Sequence, residues 1–161
     1  MSATIQILSG LGGKGPAAIV VEAQGKRLLL DAGGALHPDE PITWARGLDV
    51  DAVLISHDHV VHIGGVAELP TQIPLYCTPL VAKALPPQRA WQPLPYRGRI
   101  NVEGMTVTTG QAGHSLGGVW LHLDVAGGIF YSGDACFESR LFPFDAPPPA
   151  HTALLDASYS S

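Results

Sequence analysis

The sequence predicts a mixed α/β layered sandwich, made of many short strands with a few helices packed beside them. Three observations carry this. Short apolar segments recur from one end of the chain to the other and are bounded by Gly- and Pro-containing turns. Two proline-rich breaks, at 86–95 and 143–149, rule out a continuous helical array. Histidines and aspartates follow directly on several apolar segments, at the strand tips where open α/β sheets carry functional groups.

Taken in order, residues 4–8 alternate as an opening strand, and 9–16 (Ser-Gly-Leu-Gly-Gly-Lys-Gly-Pro) form a breaker-rich loop. That loop lacks the GxxxxGK[ST] spacing of a phosphate loop and leads into a strand, so a turn between two strands is expected. Segments 17–22 and 26–30, joined at Gln24-Gly25, give a hairpin signal. The second ends in Asp31-Ala32-Gly33-Gly34, where Asp31 is either a turn former or a carboxylate supporting a nearby metal site. Residues 37–41 read as a polar loop, 42–47 as a short helix and 52–55 as a buried strand. A short helix over 62–69, a strand over 73–77 and a helix over 79–85 opened by Pro79 follow. Residues 86–95 are expected to be irregular. Strands are expected over 100–102, 105–109, 119–125, 128–131 and 152–155.

The stretch Ser56-His57-Asp58-His59-Val60-Val61-His62 carries the strongest chemical signal. Imidazole is the commonest protein ligand for zinc and similar metals. His57 and His59 point the same way if the segment is extended, and Gly64-Gly65 allow the turn that brings His62 toward them. Val61, an apolar residue between two ligand candidates, is the anomaly. His114 stands in Gly113-His114-Ser115 and Asp134 in Ser132-Gly133-Asp134, each after a strand. Singly, these would be loop and turn residues. Together they make four histidines and an aspartate in three strand-end loops, the donor set of a zinc hydrolase with one position left for water. His37, His122 and His151 are isolated and read as structural or solvent-exposed.

The bulk composition narrows the classes further. A chain of 161 residues has the length of one domain, taken as 1–161, and 46% hydrophobic residues suffice for a core. Charged residues make up 14%, below the usual quarter, which suggests that much of the surface faces other protein. A net charge of −5 gives no reason to expect general nucleic-acid binding. The segment 89–99, with Arg89, Arg97, Trp91 and Tyr96, reads as a proline-stiffened loop in preference to a basic-aromatic patch. Cys77 and Cys136 are expected to be buried free thiols. Neither a signal-peptide pattern nor a membrane-length apolar run is present, so a soluble, cytoplasmic protein with no membrane contact is expected.

These motifs resemble the metallo-β-lactamase superfamily, whose signature is His-x-His-x-Asp-His after a strand, then a lone histidine, then an aspartate in a Ser/Thr-Gly-Asp turn. Leu30-Asp31-Ala32-Gly33 is similar to its early Asp-x-Gly turn. The resemblance implies the αββα layered sandwich of that family, with only its N-terminal half to two-thirds present. It further implies that His57, His59 and His114 hold a first zinc, and that Asp134 bridges to a second held by His62. Catalytic positions would be Asp134, His62 and Asp58, with a metal-activated hydroxide attacking an RNA phosphodiester or a small ester, thioester or lactone.

Two departures from the family pattern matter. Its aspartate is Val61 here, and no further histidine follows a strand beyond Asp134. One divalent ion, the Asp134 carboxylate and a hydroxide sum to neutral, so one firm metal site and impaired hydrolysis are expected; a non-catalytic binding or assembly module is the alternative. Asp156-Ala157-Ser158-Tyr159 resembles an acid-small-Ser/Thr-Tyr segment of the β-CASP nuclease branch, which would put Asp156 beside the metals. A half-built sandwich is expected to expose an apolar sheet face, covered by a missing C-terminal part or by a second copy.

Overall fold

Strands whose side chains are buried on both faces require a layer on each side of the sheet. The structure, a computed structural model, describes residues 2–157. The first sheet holds six strands in sequence order: β1 (Ala3–Ser9), β2 (Ala18–Ala23), β3 (Lys26–Leu30), β4 (Ala52–Leu54), β5 (Leu75–Cys77) and β6 (Gln92–Pro93). Strands β1 to β3 are antiparallel and β3 to β6 parallel. The second sheet has five: β7 (Gly98–Val102), β8 (Met105–Gln111), β9 (Val119–Leu123), β10 (Ile129–Tyr131) and β11 (Thr152–Leu154). It is antiparallel except for the parallel pair β10 and β11.

Alternation assigns each side chain to a layer. Leu28, Leu30, Ile19 and Val21 turn inward to meet Val107, Leu121, Leu123 and Ile129 of the second sheet, forming the inter-sheet core. Their neighbours Leu29, Val20 and Val53 face the other way, onto Trp44, Ile63, Val66 and Val81. The covering elements there are α1 (Val60–Ile63), a 3₁₀ turn (Val66–Glu68) and α2 (Pro79–Ala82).

Several expectations change in detail. The helix expected over 42–47 is a pair of turns closed by Arg46 N to Thr43 O and Leu48 N to Ala45 O. Trp44 is drawn inward there, and its indole N–H donates to Gly33 O at 2.9 Å. The helix expected over 62–69 begins at Val60 and breaks at Gly64-Gly65. Inside the supposedly irregular 86–95 lies β6, an edge strand of two residues, the position in which a sheet tolerates proline.

The outer face of the second sheet is not the bare apolar surface expected of a half-built sandwich. Trp120 and Phe130 are covered by the proline-rich segment through Phe144 and Ala150. The indole N–H of Trp120 donates to Asp145 O at 2.8 Å, and the Asp145 carboxylate accepts from Arg97 Nε and from the Gln111 backbone. His122 Nε2 lies 3.1 Å from Pro149 O. The strap takes the place of the outer helical layer. It also uses Arg97, while Arg89 is buried and donates to three backbone carbonyls, so 89–99 is no basic patch. Cys77 is buried, and its thiol is pushed up to about 12 by burial; Cys136 is partly exposed, unlike the expectation. Among the described residues no helix is long and apolar enough to cross a membrane.

The site is placed by a backbone clasp. Ala32 N donates to His62 O, Gly34 N to Val60 O, Gly65 N to Ala32 O and Ala17 N to Val61 O, so the tip of β3 is tied to α1. A side chain at Gly33 would collide with the Val61 carbonyl and the Ala17 backbone. Gly33→Ala should therefore lower stability by at least about 1–3 kcal/mol. Gly13→Ala, where nothing lies within 4 Å, should stay within about 0.5 kcal/mol. Urea melts of both variants measure the contrast, and equal midpoints would refute the clasp.

Candidate metal centre

The centre is built from the tips of three strands. The segment after β4 leaves the sheet extended, carrying Ser56, His57 and His59, and His62 follows on the first turn of α1. His114 comes from the loop after β8, and Asp134 from the turn after β10. Ligand atoms of His57, His59, His114 and Asp134 all lie within 4.8 Å of one another.

Three of the pairwise distances are close to those of donors around one ion. Bonds of about 2.0–2.1 Å to a tetrahedral metal place neighbouring donors about 3.3–3.4 Å apart. His57 Nε2 lies 3.4 Å from Asp134 Oδ2, His114 Nε2 lies 3.5 Å from the same oxygen, and His59 Nδ1 lies 3.1 Å from His114 Nε2. His57 Nε2 is buried and makes no hydrogen bond.

The tautomers follow from a buried carboxylate. Asp31 is fully buried, at φ 61°, a left-handed conformation that Asp tolerates better than most residues. It accepts from Ser56 N at 2.7 Å, Ser56 Oγ at 2.7 Å, His62 Nδ1 at 2.6 Å and Tyr131 OH at 2.6 Å. Because the Ser56 hydroxyl donates to Asp31, it can only accept from His57, whose Nδ1 is 2.9 Å away. The proton is thus on Nδ1 of both His57 and His62; the Nε2 lone pair of His57 faces the centre, while His62 Nε2 lies against Asp134 Oδ1. His57 Nε2 and Asp134 Oδ2 are then two acceptors facing each other, which a cation between them would reconcile.

The electrostatics indicate the same deficit of positive charge. Burial alone would raise Asp134, but the hydrogen bond and charge of His62 beside it hold it far below the carboxylate range. Asp31 behaves likewise: burial opposes ionisation, and the charge and hydrogen bond of His62 outweigh it. Burial should depress His62, yet Asp31 and Asp134 raise it to about 10. His59 and His114 are lowered, first by burial and then by the charge of His57, which favours the neutral imidazole a metal needs. Burial and the Asp31 charge raise Tyr131 well above its ordinary value, so its O–H remains a donor.

The remaining site expectations are placed as follows. His62 sits one step behind the cluster, its Nε2 3.1 Å from Asp134 Oδ1. Asp58 is exposed and lies outside the cluster. Asp31 is the supporting carboxylate, and a second His/Asp grouping of Asp31, His57 and His62 is this hydrogen-bond network. Asp156 lines the same cleft as His62, His114 and Asp134, and its backbone N–H donates to Ser132 Oγ. Ser158 and Tyr159 of the nuclease-like segment lie outside the described residues. Ser56 and Tyr131 were not singled out by sequence reasoning. The position of Ser56 beside His57 was the available signal, and Tyr131 had none, its partner being 100 residues away. His37 and His151 are exposed, and His122 is buried under the strap.

A two-sheet sandwich with clustered histidines and an aspartate at its strand tips defines a metallo-hydrolase type of domain. The chain belongs to the metallo-β-lactamase superfamily: the family model described as "Beta-lactamase superfamily domain" matches residues 26–158. Hydroxyacylglutathione hydrolase of Methylobacillus flagellatus is 30% identical over 131 residues, covering 76% of this chain and 49% of that protein. Transcription termination factor FttA of Cenarchaeum symbiosum is 27% identical over 204 residues, covering 98% of this chain and 31% of that protein. The chain therefore spans about half or less of these curated relatives. In fold it is similar to a protein of unknown function from Enterococcus faecalis V583, with TM-score 0.68 and 19% identity over 83% of this chain and 43% of that one.

Asp31→Asn would set an amide N–H against three donors. It should weaken metal binding by about 10–100-fold and cost about 3–5 kcal/mol of stability; metal titration and thermal melts test this, with Tyr131→Phe the milder case. In the metal-free protein, His62 has a folded pKa of about 10 against an ordinary value of about 6.5. Its contribution is complete below about pH 6.5 and lost as pH rises through 10. Asp31, lowered, contributes above the ordinary carboxylate range and loses that contribution as pH falls. Melting temperature of chelator-treated protein should therefore decline from pH 6.5 to 10, and His62→Gln should flatten that decline.

Proposed function

We propose that this domain is the metal-binding part of a hydrolase with one firmly held divalent ion, zinc, acting on a small ester, thioester or lactone. The observation behind it is the set of four donor atoms within 4.8 Å of one another, with Ser56 and Asp31 orienting the lone pair of His57. When bound, the ion supplies Lewis-acid polarisation and lowers the pKa of water it carries. His57, His59 and His114 would hold the ion, with Asp134 completing the set. His62 Nε2, 3.1 Å from Asp134 Oδ1, keeps that carboxylate turned toward the cluster. Asp58, exposed, would act only on a substrate arriving from solvent.

The small substrate is favoured over RNA by charge. Among the described residues Lys14 is the only lysine or arginine lining the cleft, which also holds Asp134 and Asp156, whereas a phosphodiester backbone needs several cations. The name of the Methylobacillus relative, a thioester-type hydrolase, fits the same class. We place the protein in the cytoplasm.

Val61 supports a second reading, a binding or assembly module that retains the ion and not the activity. It lines the cleft beside His62, where the family's aspartate would add a ligand to a second metal. Purified protein should contain about one zinc per chain, and His114→Ala should lose it. Val61→Asp should raise the content toward two and increase turnover of ester reporters. Two zinc in the unaltered chain would overturn the single-ion reading. One zinc without any turnover, before or after Val61→Asp, would favour the binding module.

A further inference from the structure

His114 and Asp134 of the metal cluster line an open cleft of about 780 Å³, together with residues of β1 from one sheet and β11 from the other. That volume lies within the range of small-molecule sites, about 300–1,000 Å³. Part of its lining is unusual for a water-filled surface. Ile7, Leu11, Leu36 and Leu155 all line it, with relative exposures of 38%, 80%, 46% and 62%. These are four of the nine exposed large apolar side chains among the described residues, gathered in one cleft from four separate segments. Exposed apolar groups scattered singly need no explanation, but groups converging beside a functional site mark a binding surface.

Val61, the neighbour of His62 in the chain, lines the same cleft. Resting on the hydrolase reading above, we infer that the cleft binds the apolar acyl group of the substrate, a carboxylic ester or thioester. Leu11, Leu36 and Leu155 hold the chain of that group, and Val61 is the wall against which its reacting end rests. Hydrolysis adds the oxygen of water to the acyl carbon, breaks the bond to ester oxygen or thioester sulfur, and returns a proton to the leaving group. No redox partner is required. An apolar occupant also suits the charge of the cleft, whose carboxylates outnumber its lysine.

The test uses zinc-loaded protein with leucine methyl groups labelled for NMR, titrated with N-methylbutanamide and N-methyloctanamide, which the site should bind and not cleave. The octanamide should bind at least about tenfold more tightly and shift the methyl signals of Leu11, Leu36 and Leu155. Leu11→Ser combined with Leu155→Ser, at exposed positions, should reduce the difference below about threefold and leave the zinc content as it was. The ratio of kcat/KM for p-nitrophenyl octanoate to that for the acetate should fall in the same variant.

Equal affinity for the two amides would overturn the inference. So would leucine signals that follow protein concentration, meaning a second copy covers the wall, or signals that move with a single-stranded RNA oligonucleotide and not with the amides. Turnover of the acetate with no preference for chain length keeps the hydrolase reading and removes the acyl site. Length-dependent binding without ester turnover does the reverse.

Discussion

A single buried carboxylate organises this domain. Asp31 has no access to solvent, and an ionised carboxylate there is tolerated because it accepts four hydrogen bonds, one of them from a protonated imidazole. Its four donors come from the end of β4, from α1 and from β10 in the opposite sheet. The same contact therefore joins the two layers and fixes the imidazoles of the metal centre. Fold and site are not separate here, since the group that would destabilise the core if left unpaired is the one that orients the ligands.

The charge of this arrangement explains the behaviour of His62. Asp31 and Asp134 bring two negative charges into a poorly solvated region, and in the metal-free protein the proton on His62 balances part of that charge. A divalent ion among His57, His59, His114 and Asp134 would replace the proton as the compensating charge. Metal and proton thus compete for the same electrostatic vacancy, although they occupy different atoms.

Local pattern made much of this legible in the sequence. The histidine triplet, His114 and Asp134 could be read because each follows an apolar strand directly, and strand tips are where such sandwiches gather their chemistry. The central strands were legible for the same reason. What escaped depended on distant partners. Tyr131 looks like any buried strand aromatic until Asp31 is brought to it. The segment 42–47 has the composition of a helix, but Trp44 is better used bonding Gly33 O and filling the layer beneath β3. The proline-rich segment read as a break because its role, covering Trp120 and Phe130, is defined only by the sheet it lies on.

Val61 has two consequences that act in the same direction. Without a carboxylate at this position, a second divalent ion would share only Asp134 and His62, and the two carboxylates Asp31 and Asp134 could not neutralise two divalent ions. On the one-ion reading, the position is released from coordination. It is then available to the cleft, which it lines together with His62 and Asp134. A branched apolar side chain there excludes water from the side of the cluster that another ion would have occupied, and low water content strengthens each remaining electrostatic contact. The loss of a ligand and the gain of a wall are the same substitution seen from the metal and from the substrate.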